Sequence, residues 1–259
     1  MVSTCVTGAA YIQAVDWEND GAYSGLYDDI TEDVLDRGIS VQYGREQNRQ
    51  LSPGAVGRSS FVLCNADRVY SPENVDGPLY GDLGPARSTK LTVELNNVVY
   101  SVHTGRIDDF TIHPDRGDRT ADFTTLDGMA LLQRATISTE LMVAPRTGQI
   151  VDRILDEIGW VAPRDIDVGA TFPRYWWAEG DNAFDAMQEI VRAEGPPAAA
   201  YVAPDGTFVF QDRHHRIQNA ASLVSQATFS SRLISTCDAC LESVELYGDG
   251  CYGFGIYGG

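Results

Sequence analysis

The spacing of apolar residues changes once along the chain, near residue 125, and this change limits the fold more than any other sequence feature. From residue 9 to about 123, short segments alternate apolar with polar residues and are separated by turn-forming residues, which is typical of β-strands. Beyond residue 125, two segments repeat apolar residues every three or four positions, which is typical of helices that pack through one face. The sequence therefore predicts a mainly β fold, with a β-barrel domain followed by a small α+β domain.

A hairpin gives the clearest strand signal. Residues 90–95 and 98–102 are both rich in strand-forming residues, and Asn96-Asn97 between them can adopt the positive φ angles of a two-residue turn. We predict further strands at residues 11–17, 39–43, 60–64, 104–112 and 119–124. About seven strands predict a closed or nearly closed barrel, which we place at residues 1–135.

Helical periodicity marks the second half of the chain. Residues 147–158 and 181–194 each place apolar side chains on one helical face, and each segment is followed by a glycine that can end a helix. We expect Thr147 to cap the first of these helices, and a shorter helix at residues 127–134 to join the two domains. A hairpin follows, with strands at 198–202 and 207–211. We predict the α+β domain at residues 136–218 and a Ser/Gly/Tyr-rich C-terminal tail at 219–259.

The charge balance excludes general affinity for nucleic acid. The chain has 19 Lys and Arg against 37 Asp and Glu, for a net charge of −18. Such a surface repels phosphate backbones, and it also forms a wall along which DNA can slide without binding. No stretch approaches the ~20 consecutive apolar residues of a membrane helix, and the N-terminal residues lack the basic and apolar regions of a secretory signal. We therefore expect synthesis in a cytoplasm and no membrane insertion.

One acidic loop predicts a calcium site. Asp16, Glu18 and Asp20 alternate along the chain and Gly21 follows, which matches the opening of a calcium-binding loop. The bidentate glutamate of a complete EF-hand is missing, since Tyr27 stands at the twelfth position, although Asp28-Asp29 lies close behind. The alternative is a solvated acidic turn between strands. Calcium at Asp16, Glu18 and Asp20 is the one cofactor that we predict.

The five cysteines cannot all pair within one chain. Cys5 and Cys64 stand alone in strand-like segments and are predicted to be small core residues. Cys237, Cys240 and Cys251 lie close enough in sequence to hold a metal ion, to form a disulfide or to remain free thiols in an interface. All three alternatives stay open.

Two further groups of residues are candidate functional sites. His214 and His215 are adjacent, so in a strand their side chains point to opposite faces and do not bind one ion together. The Tyr175-Trp176-Trp177 run could stack on a sugar if exposed, but core packing is the favoured interpretation. No motif of a serine hydrolase, zinc protease or phosphate-binding loop is present, so the sequence predicts that the protein is not an enzyme.

Several motifs together point to one family. The first part of the chain contains DWENDG (16–21), DVLDRG (33–38), GREQNR (44–49) and NADRVYSPEN (65–74), and the second part contains GPP (195–197) and FQDRHHR (210–216). In this combination the chain resembles minor tail proteins of actinobacterial siphophages. The resemblance covers about residues 10–230.

This resemblance implies a tail-tip, or baseplate-hub, protein: a tail-tube-like β-barrel followed by an α+β domain. Such a protein is a structural component of the virion tail, assembled in the host cytoplasm. It forms a homo-oligomeric ring of three or six copies that continues the tail tube. The resemblance also implies contacts with the tail tube, distal tail or other tail-tip proteins. Genome DNA would pass through the ring without specific binding. The alternatives are a distal tail ring protein and a receptor- or carbohydrate-binding tail adhesin.

Overall fold

A computed structural model describes residues 10–35, 38–43, 54–114 and 119–224 of the 259-residue chain. By its contacts the chain divides into two compact units, Met1–Arg216 and Ile217–Gly259. Apart from the end of the last α-helix and a 3-10 helix at Ala220–Leu223, the features described below belong to the first unit. None of the helices within the described ranges has the length and apolar character that crossing a membrane requires.

Six antiparallel strands form the main sheet, in the order β1-β4-β5-β6-β3-β2. Their bounds are Ala10–Asp16 (β1), Ser40–Gln42 (β2), Arg58–Cys64 (β3), Ser88–Leu95 (β4), Val98–Pro114 (β5) and Arg119–Leu126 (β6). A short 3-10 helix, Thr31–Asp33, follows β1. Within the described residues the sheet has two ends, β1 and β2, that are not paired with each other. Closure into a barrel therefore stays a prediction.

The predicted hairpin is present, but the strands expected at 98–102 and 104–112 are one continuous strand, β5. Leu95 pairs with Val98, and Asn96 and Asn97 have φ angles of 53° and 62°, as the two-residue turn requires. The pairing of β5 shifts twice, once opposite Leu91 and once between Ile107 and Asp109. At each bulge the strand continues although its pairing register shifts, so the two predicted strands are joined into one.

Aromatic side chains fill the core beneath the main sheet. The Phe123 ring stacks against Phe61 and Phe110, with ring centroids 5.3 and 5.5 Å away, and meets the Trp17 ring edge-on at 5.9 Å. The loops between strands close over this group, since the Trp17 indole N–H donates to the Tyr27 carbonyl at 3.0 Å. Phe123 is thus the centre of the first hydrophobic cluster, which also contains Val15, Ile30, Leu63, Tyr70, Leu79, Ile107 and Ala121.

Within the described residues, four α-helices and seven short strands follow the main sheet. The helices are Met129–Arg134 (α1), Thr147–Glu157 (α2), Ala183–Glu194 (α3) and His215–Gln218 (α4), and a 3-10 helix spans Ala220–Leu223. The strands are Thr136–Ser138 (β7), Met142–Val143 (β8), Arg164–Ile166 (β9), Tyr175–Trp176 (β10), Glu179–Asn182 (β11), Ala199–Val202 (β12) and Phe208–Gln211 (β13). They form the pairs β8–β10 and β7–β11 and the three-stranded sheet β12-β13-β9, in which β9 is parallel to β13.

A second hydrophobic cluster lies between these helices and strands. Helices α1, α2 and α3 bury apolar side chains in one cluster with those of β12 and β13, and for α2 and α3 this burial is what the helical periodicity predicted. The members that are almost fully buried include Met129, Leu132, Ile150, Ile154, Leu155, Met187, Ile190, Phe208 and Phe210. The mainly β fold with an α+β part is thus as predicted, whereas the ranges 1–135, 136–218 and 219–259 stay predictions.

Thr147 was wrongly predicted as the cap of α2. Arg146 occupies that position, and its backbone N–H donates to the Gln149 side chain at 2.8 Å. The Thr147 hydroxyl instead donates to the carboxylate of Glu194 at the far end of α3, 2.7 Å away. A side chain at Gly169 would place its Cβ 1.9 Å from that hydroxyl, so the loop before β10 can approach α2 only with glycine at this position.

Glu194, at the end of α3, forms hydrogen bonds with α2 and with the loop before β10. Besides Thr147, its carboxylate accepts backbone N–H groups from Ala170 and Thr171 at 3.1 and 3.0 Å. Burial disfavours its ionised form, but these hydrogen bonds outweigh burial and hold the pKa of Glu194 below its ordinary value. The carboxylate therefore remains ionised inside the protein and fixes the loop before β10 against α2 and α3.

We expect Phe123→Ala to lower the free energy of unfolding by about 3–5 kcal/mol, because it leaves a cavity at the contact point of four other aromatic rings. Phe172→Ala removes the same side chain from an exposed position and should cost less than about 1 kcal/mol. Urea unfolding followed by tryptophan fluorescence measures both. Equal losses for the two variants would contradict the assignment of Phe123 to the centre of the core.

Candidate functional site

The hairpin of β4 and β5 extends beyond β6, while β1 pairs with β4 as far as Glu94. Strand β6 pairs with β5 only from Arg106 onward, whereas β4 pairs with β5 from Val98. Residues 98–105 of β5 therefore pair with β4 on one side and with no described strand on the other. We call residues 93–102 the hairpin arm. Its free edge presents backbone N–H and C=O groups that a further strand can satisfy.

Apolar side chains cover this arm. Val99 is 60% exposed and Tyr100 is 53% exposed, and Leu95 and Val98 at the turn are exposed as well. Glu94 is the single charged residue of the arm. Adjacent exposed apolar residues on an unpaired strand edge are features that folded proteins avoid unless another chain covers them.

A chain of hydrogen bonds that has no local sequence signature supports the base of the arm, and it runs from partly exposed Tyr43 to buried Thr125. The Tyr43 hydroxyl donates to Nδ1 of His103 over 2.7 Å, and Nε2 of His103 lies 3.0 Å from the Thr125 hydroxyl. The Thr125 hydroxyl in turn donates to the Ser59 carbonyl oxygen at 3.3 Å, so it accepts from Nε2–H of His103. The imidazole is thus held as the neutral Nε2–H tautomer.

Asp127 fixes the junction between the main sheet and α1. Its carboxylate accepts the backbone N–H groups of Gly57 at 2.8 Å and of Met129 at 3.0 Å. Burial raises the pKa of Asp127 to about 6, despite these two hydrogen bonds. Burial also disfavours the charged form of the His103 imidazole, and so it lowers the pKa of His103 to about 4. Burial and the neighbouring Asp127 also keep the pKa of Tyr43 above its ordinary value.

These groups resemble a catalytic constellation in composition but not in accessibility. His103 is 1% exposed, and both of its ring nitrogens are engaged within the protein. The group therefore orients the arm and the segment around Tyr43, and it offers no open position to a substrate.

A cleft of about 430 Å³ lies between β5, α1 and the segment that follows α2. Apolar side chains such as Leu131 and Trp160 line much of it. Its acidic side chains are both engaged, since Asp108 pairs with Arg134 and Asp127 accepts two backbone N–H groups. The cleft thus lacks a free acid–base pair among its lining residues.

The predicted calcium ligands lie at the end of β1. Asp16 is buried, and its two carboxylate oxygens accept the backbone N–H groups of Asp20 at 3.1 Å and Gly21 at 2.9 Å. Glu18 and Asp20 are exposed, and the Asp20 carboxylate accepts from Ala22 N–H at 2.8 Å. No group of three or more potential ligands comes together within the described ranges. The observed geometry is that of a hydrogen-bonded turn, and calcium binding stays a prediction.

The remaining sequence candidates are distributed as follows. Cys64 is exposed at the end of β3, so the prediction that it is a core residue is wrong. Cys5, Cys237, Cys240 and Cys251 lie outside the described residues. His215 begins α4 rather than lying in a strand, and its Nδ1 lies 2.8 Å from the Asp167 carboxylate.

The three aromatic residues at β10 divide between core and surface. Trp176 is buried in the second hydrophobic cluster, as predicted, whereas Tyr175 and Trp177 are 49% and 55% exposed. This division follows from strand geometry, because successive side chains point to opposite faces. Core packing is therefore correct for one of the three, and the other two form a surface feature.

The fold is similar to that of a prophage tail protein. The chain matches the 43 kDa tail protein of prophage MuSo2 from Shewanella oneidensis with a TM-score of 0.51 and 14% identity, over 79% of this chain and 54% of that one. A tail protein from Neisseria meningitidis gives a TM-score of 0.46 at 14% identity, over 78% and 51% of the two chains. An E. coli component of the type VI secretion system, with structural similarity to T4 bacteriophage tail proteins gp27 and gp5, gives 0.48 at 13% identity, over 77% and 48%.

No family model matches the chain, and no curated protein matches it in sequence. The chain spans about half of the length of the tail proteins that it resembles in structure. At 14% identity the first of these likenesses shows a shared fold, which is mostly β with a few helices.

We expect Asp16→Ala to lower the free energy of unfolding by about 1–3 kcal/mol, because two partly buried backbone N–H groups lose their charged acceptor. Calcium binding at Asp16, Glu18 and Asp20 can be tested separately. If the site exists, millimolar calcium should raise the melting temperature of the wild-type protein more than that of Asp16→Asn. Melting temperatures that are independent of calcium in both proteins would rule the site out.

We expect Asp127→Asn to lose stability more steeply than the wild type as the pH falls from 6.5 to 4. The raised pKa of Asp127 means that the folded state binds a proton before the unfolded state does, which stabilises the wild type over this range. The lowered pKa of His103 acts in the opposite sense, since stability present above pH 6.5 is lost as the pH falls towards 4. In Asp127→Asn the gain in stability from protonating Asp127 is absent, and so the loss of stability due to His103 at low pH is no longer offset.

Urea unfolding at pH 6.5, 5 and 4 measures this difference. The stability gap between the wild type and Asp127→Asn should widen by on the order of 2–3 kcal/mol across the range. The double variant Asp127→Asn/His103→Gln serves as the control and should lose the steep decline. Parallel profiles for the wild type and Asp127→Asn would show that Asp127 titrates normally.

Proposed function

We propose that this chain is a structural protein of a phage tail, of the tail-tip or baseplate-hub type, and that copies of it assemble into a ring that continues the tail tube. The observation that carries the proposal is the hairpin arm, whose apolar β5 edge pairs with no described strand and can be covered by a neighbouring copy. Edge strands of this kind are satisfied by pairing with another chain. The fold shared with the prophage MuSo2 tail protein supports the same class of function.

The acidic character of the chain supports a role in DNA passage. With a net charge of −18, a ring of several copies presents a surface that repels the phosphate backbone. DNA then moves through the ring without binding to it. The protein acts by assembly and not by catalysis, in keeping with the sequestered His103 group and the engaged carboxylates of the cleft.

The α+β part favours the hub over the distal tail ring protein. A distal tail protein would have a galectin-like second domain, which is made of strands alone. Here the second hydrophobic cluster is built by helices α1, α2 and α3 with short strands. We further propose that the ring contains three or six copies and that it contacts the tail tube and other tail-tip proteins in the virion.

We expect the purified chain to have a native mass of three or six times 28.3 kDa. The arm variant Val99→Asp/Tyr100→Asp should reduce it to a monomer, because buried carboxylates without partners oppose strand pairing between copies. Val75→Asp/Tyr80→Asp is a matched control with similar exposure in the loop between β3 and β4, and it should retain the wild-type mass. Native mass spectrometry distinguishes these outcomes.

Both variants should unfold within about 1 kcal/mol of the wild type, since the substituted side chains are exposed. A wild-type chain that is monomeric at all accessible concentrations would falsify self-assembly. An arm variant that is folded and still forms the wild-type ring would remove the arm from the interface.

A further inference from the structure

The β5 edge of the hairpin arm presents a definite set of backbone groups. Leu95 and Val98 close the two-residue turn, and such a closing pair exchanges both of its hydrogen bonds. Because backbone groups alternate in direction along a strand, those of Tyr100 also point toward β4. Those of Val99 and Ser101 point toward the other edge, where no described strand pairs with them. Val99 and Ser101 thus offer their N–H and C=O groups to a further strand.

The arm is also apolar on the face that continues the core face of the sheet. Tyr11 pairs with Val93, and Val93 pairs with Tyr100, so the three side chains lie on one face. Leu91 lies two residues before Val93 on the same face and is buried in the core. A strand added beside β5 would widen this face. The edge therefore suits an uncharged strand of at least five residues, enough to accompany residues 98–102.

The segment that precedes β1 has such a sequence. Residues 2–9 read Val-Ser-Thr-Cys-Val-Thr-Gly-Ala, and half of them are β-branched valine or threonine, which favour strands. The first charged side chain of the chain is that of Asp16, so the segment has none. Copies with a net charge of −18 repel each other, and a contact between uncharged segments keeps this repulsion small.

The position of β1 leaves the segment little to pair with in its own sheet. Strand β1 begins at Ala10, opposite Glu94, and β4 ends one residue later at Leu95. To reach the β5 edge of its own copy, the segment would have to cross both strands of the hairpin at the turn. Three strand spacings amount to about 14 Å, which takes about four extended residues. A neighbouring copy can receive the segment over its full length.

We propose that residues 2–9 of one copy pair, as an added strand, with the β5 edge of the hairpin arm in the next copy of the ring, an inference that rests on the proposed function. Backbone hydrogen bonds to Val99 and Ser101 hold the added strand. Val2 and Val6 lie on the same face of it, because side chains alternate along a strand. The contact is head-to-tail, since every copy donates one segment and receives another.

The decisive experiment uses two variants that each lack one half of the contact. The donor variant lacks residues 2–8. The edge variant Val99→Pro loses the N–H that points away from β4 and keeps the bonds to β4. Each alone should be monomeric, with association weakened roughly 30-fold or more by loss of the added strand. An equimolar mixture should form a 1:1 pair of about twice the chain mass in native mass spectrometry, because the edge variant still donates and the donor variant still receives.

A peptide tests the same contact without a ring. A fluorescent peptide with the sequence of residues 1–9 should bind the donor variant, as measured by anisotropy, and should not bind the donor variant that also carries Val99→Pro. The amides of Val99 and Ser101 should exchange rapidly with solvent in the free donor variant. Peptide binding should slow their hydrogen exchange by roughly tenfold or more.

The outcomes separate this inference from the proposed function. A donor variant that forms the wild-type ring, or two monomeric variants that do not combine when mixed, would overturn the inference while the ring remains. Slow exchange of Val99 and Ser101 in the free donor variant would show that another part of the same chain covers the edge, which also overturns it. A monomeric wild type would instead overturn the proposed function itself.

Controls address folding, which circular dichroism and thermal melting monitor in every variant. Val99→Thr keeps both the N–H and a β-branched side chain, and so it should retain the wild-type mass. If the donor variant does not fold, Thr4→Pro/Val6→Pro keeps the length of the segment but prevents regular strand pairing, and it should behave in the same way. If Val99→Pro does not fold, the arm variant Val99→Asp/Tyr100→Asp takes its place.

Discussion

Every strand has backbone N–H and C=O groups along both of its edges, and these groups need hydrogen-bonding partners. Because β5 is the longest strand of the main sheet, its neighbours must supply partners along this whole length. Strand β4 accompanies β5 from Val98 onward, but β6 meets it only from Arg106. Among the described strands, the preceding residues of β5 have a partner on one side only. The proposed ring and the role of the hairpin arm as its contact both follow from this difference in length.

The interior beneath the sheet changes character along β5. At one end, Phe123 and its aromatic neighbours hold the strands by close packing. Near the base of the arm, packing gives way to directional bonds from Tyr43 through His103 to Thr125. Such bonds fix orientation more strictly than apolar contacts do, since a buried polar group without its partner is costly. In the proposed ring, a support of this kind would fix the angle at which the hairpin arm meets the neighbouring copy.

The α+β part places buried and exposed aromatic side chains next to each other at β10. Because side chains alternate along this strand, Trp176 completes the second hydrophobic cluster while Tyr175 and Trp177 face outward. Glu194 hydrogen-bonds both Thr147 and the loop before β10, and so it holds this loop against α2 and α3.

Local pattern and charge were enough to predict the mainly β fold, the Asn96-Asn97 hairpin and helices α1, α2 and α3, because periodicity, turn residues and terminal glycines act over a few neighbouring residues. Three features depended on tertiary structure: the continuity of β5 through its bulges, the exposure of Cys64, and the Thr147 hydroxyl that bonds Glu194 instead of capping α2. Each involves partners far apart in sequence, and only the packed chain decides which groups are buried together. The functional surfaces belong to the same category, since a strand's free edge is defined by the strand that fails to reach it.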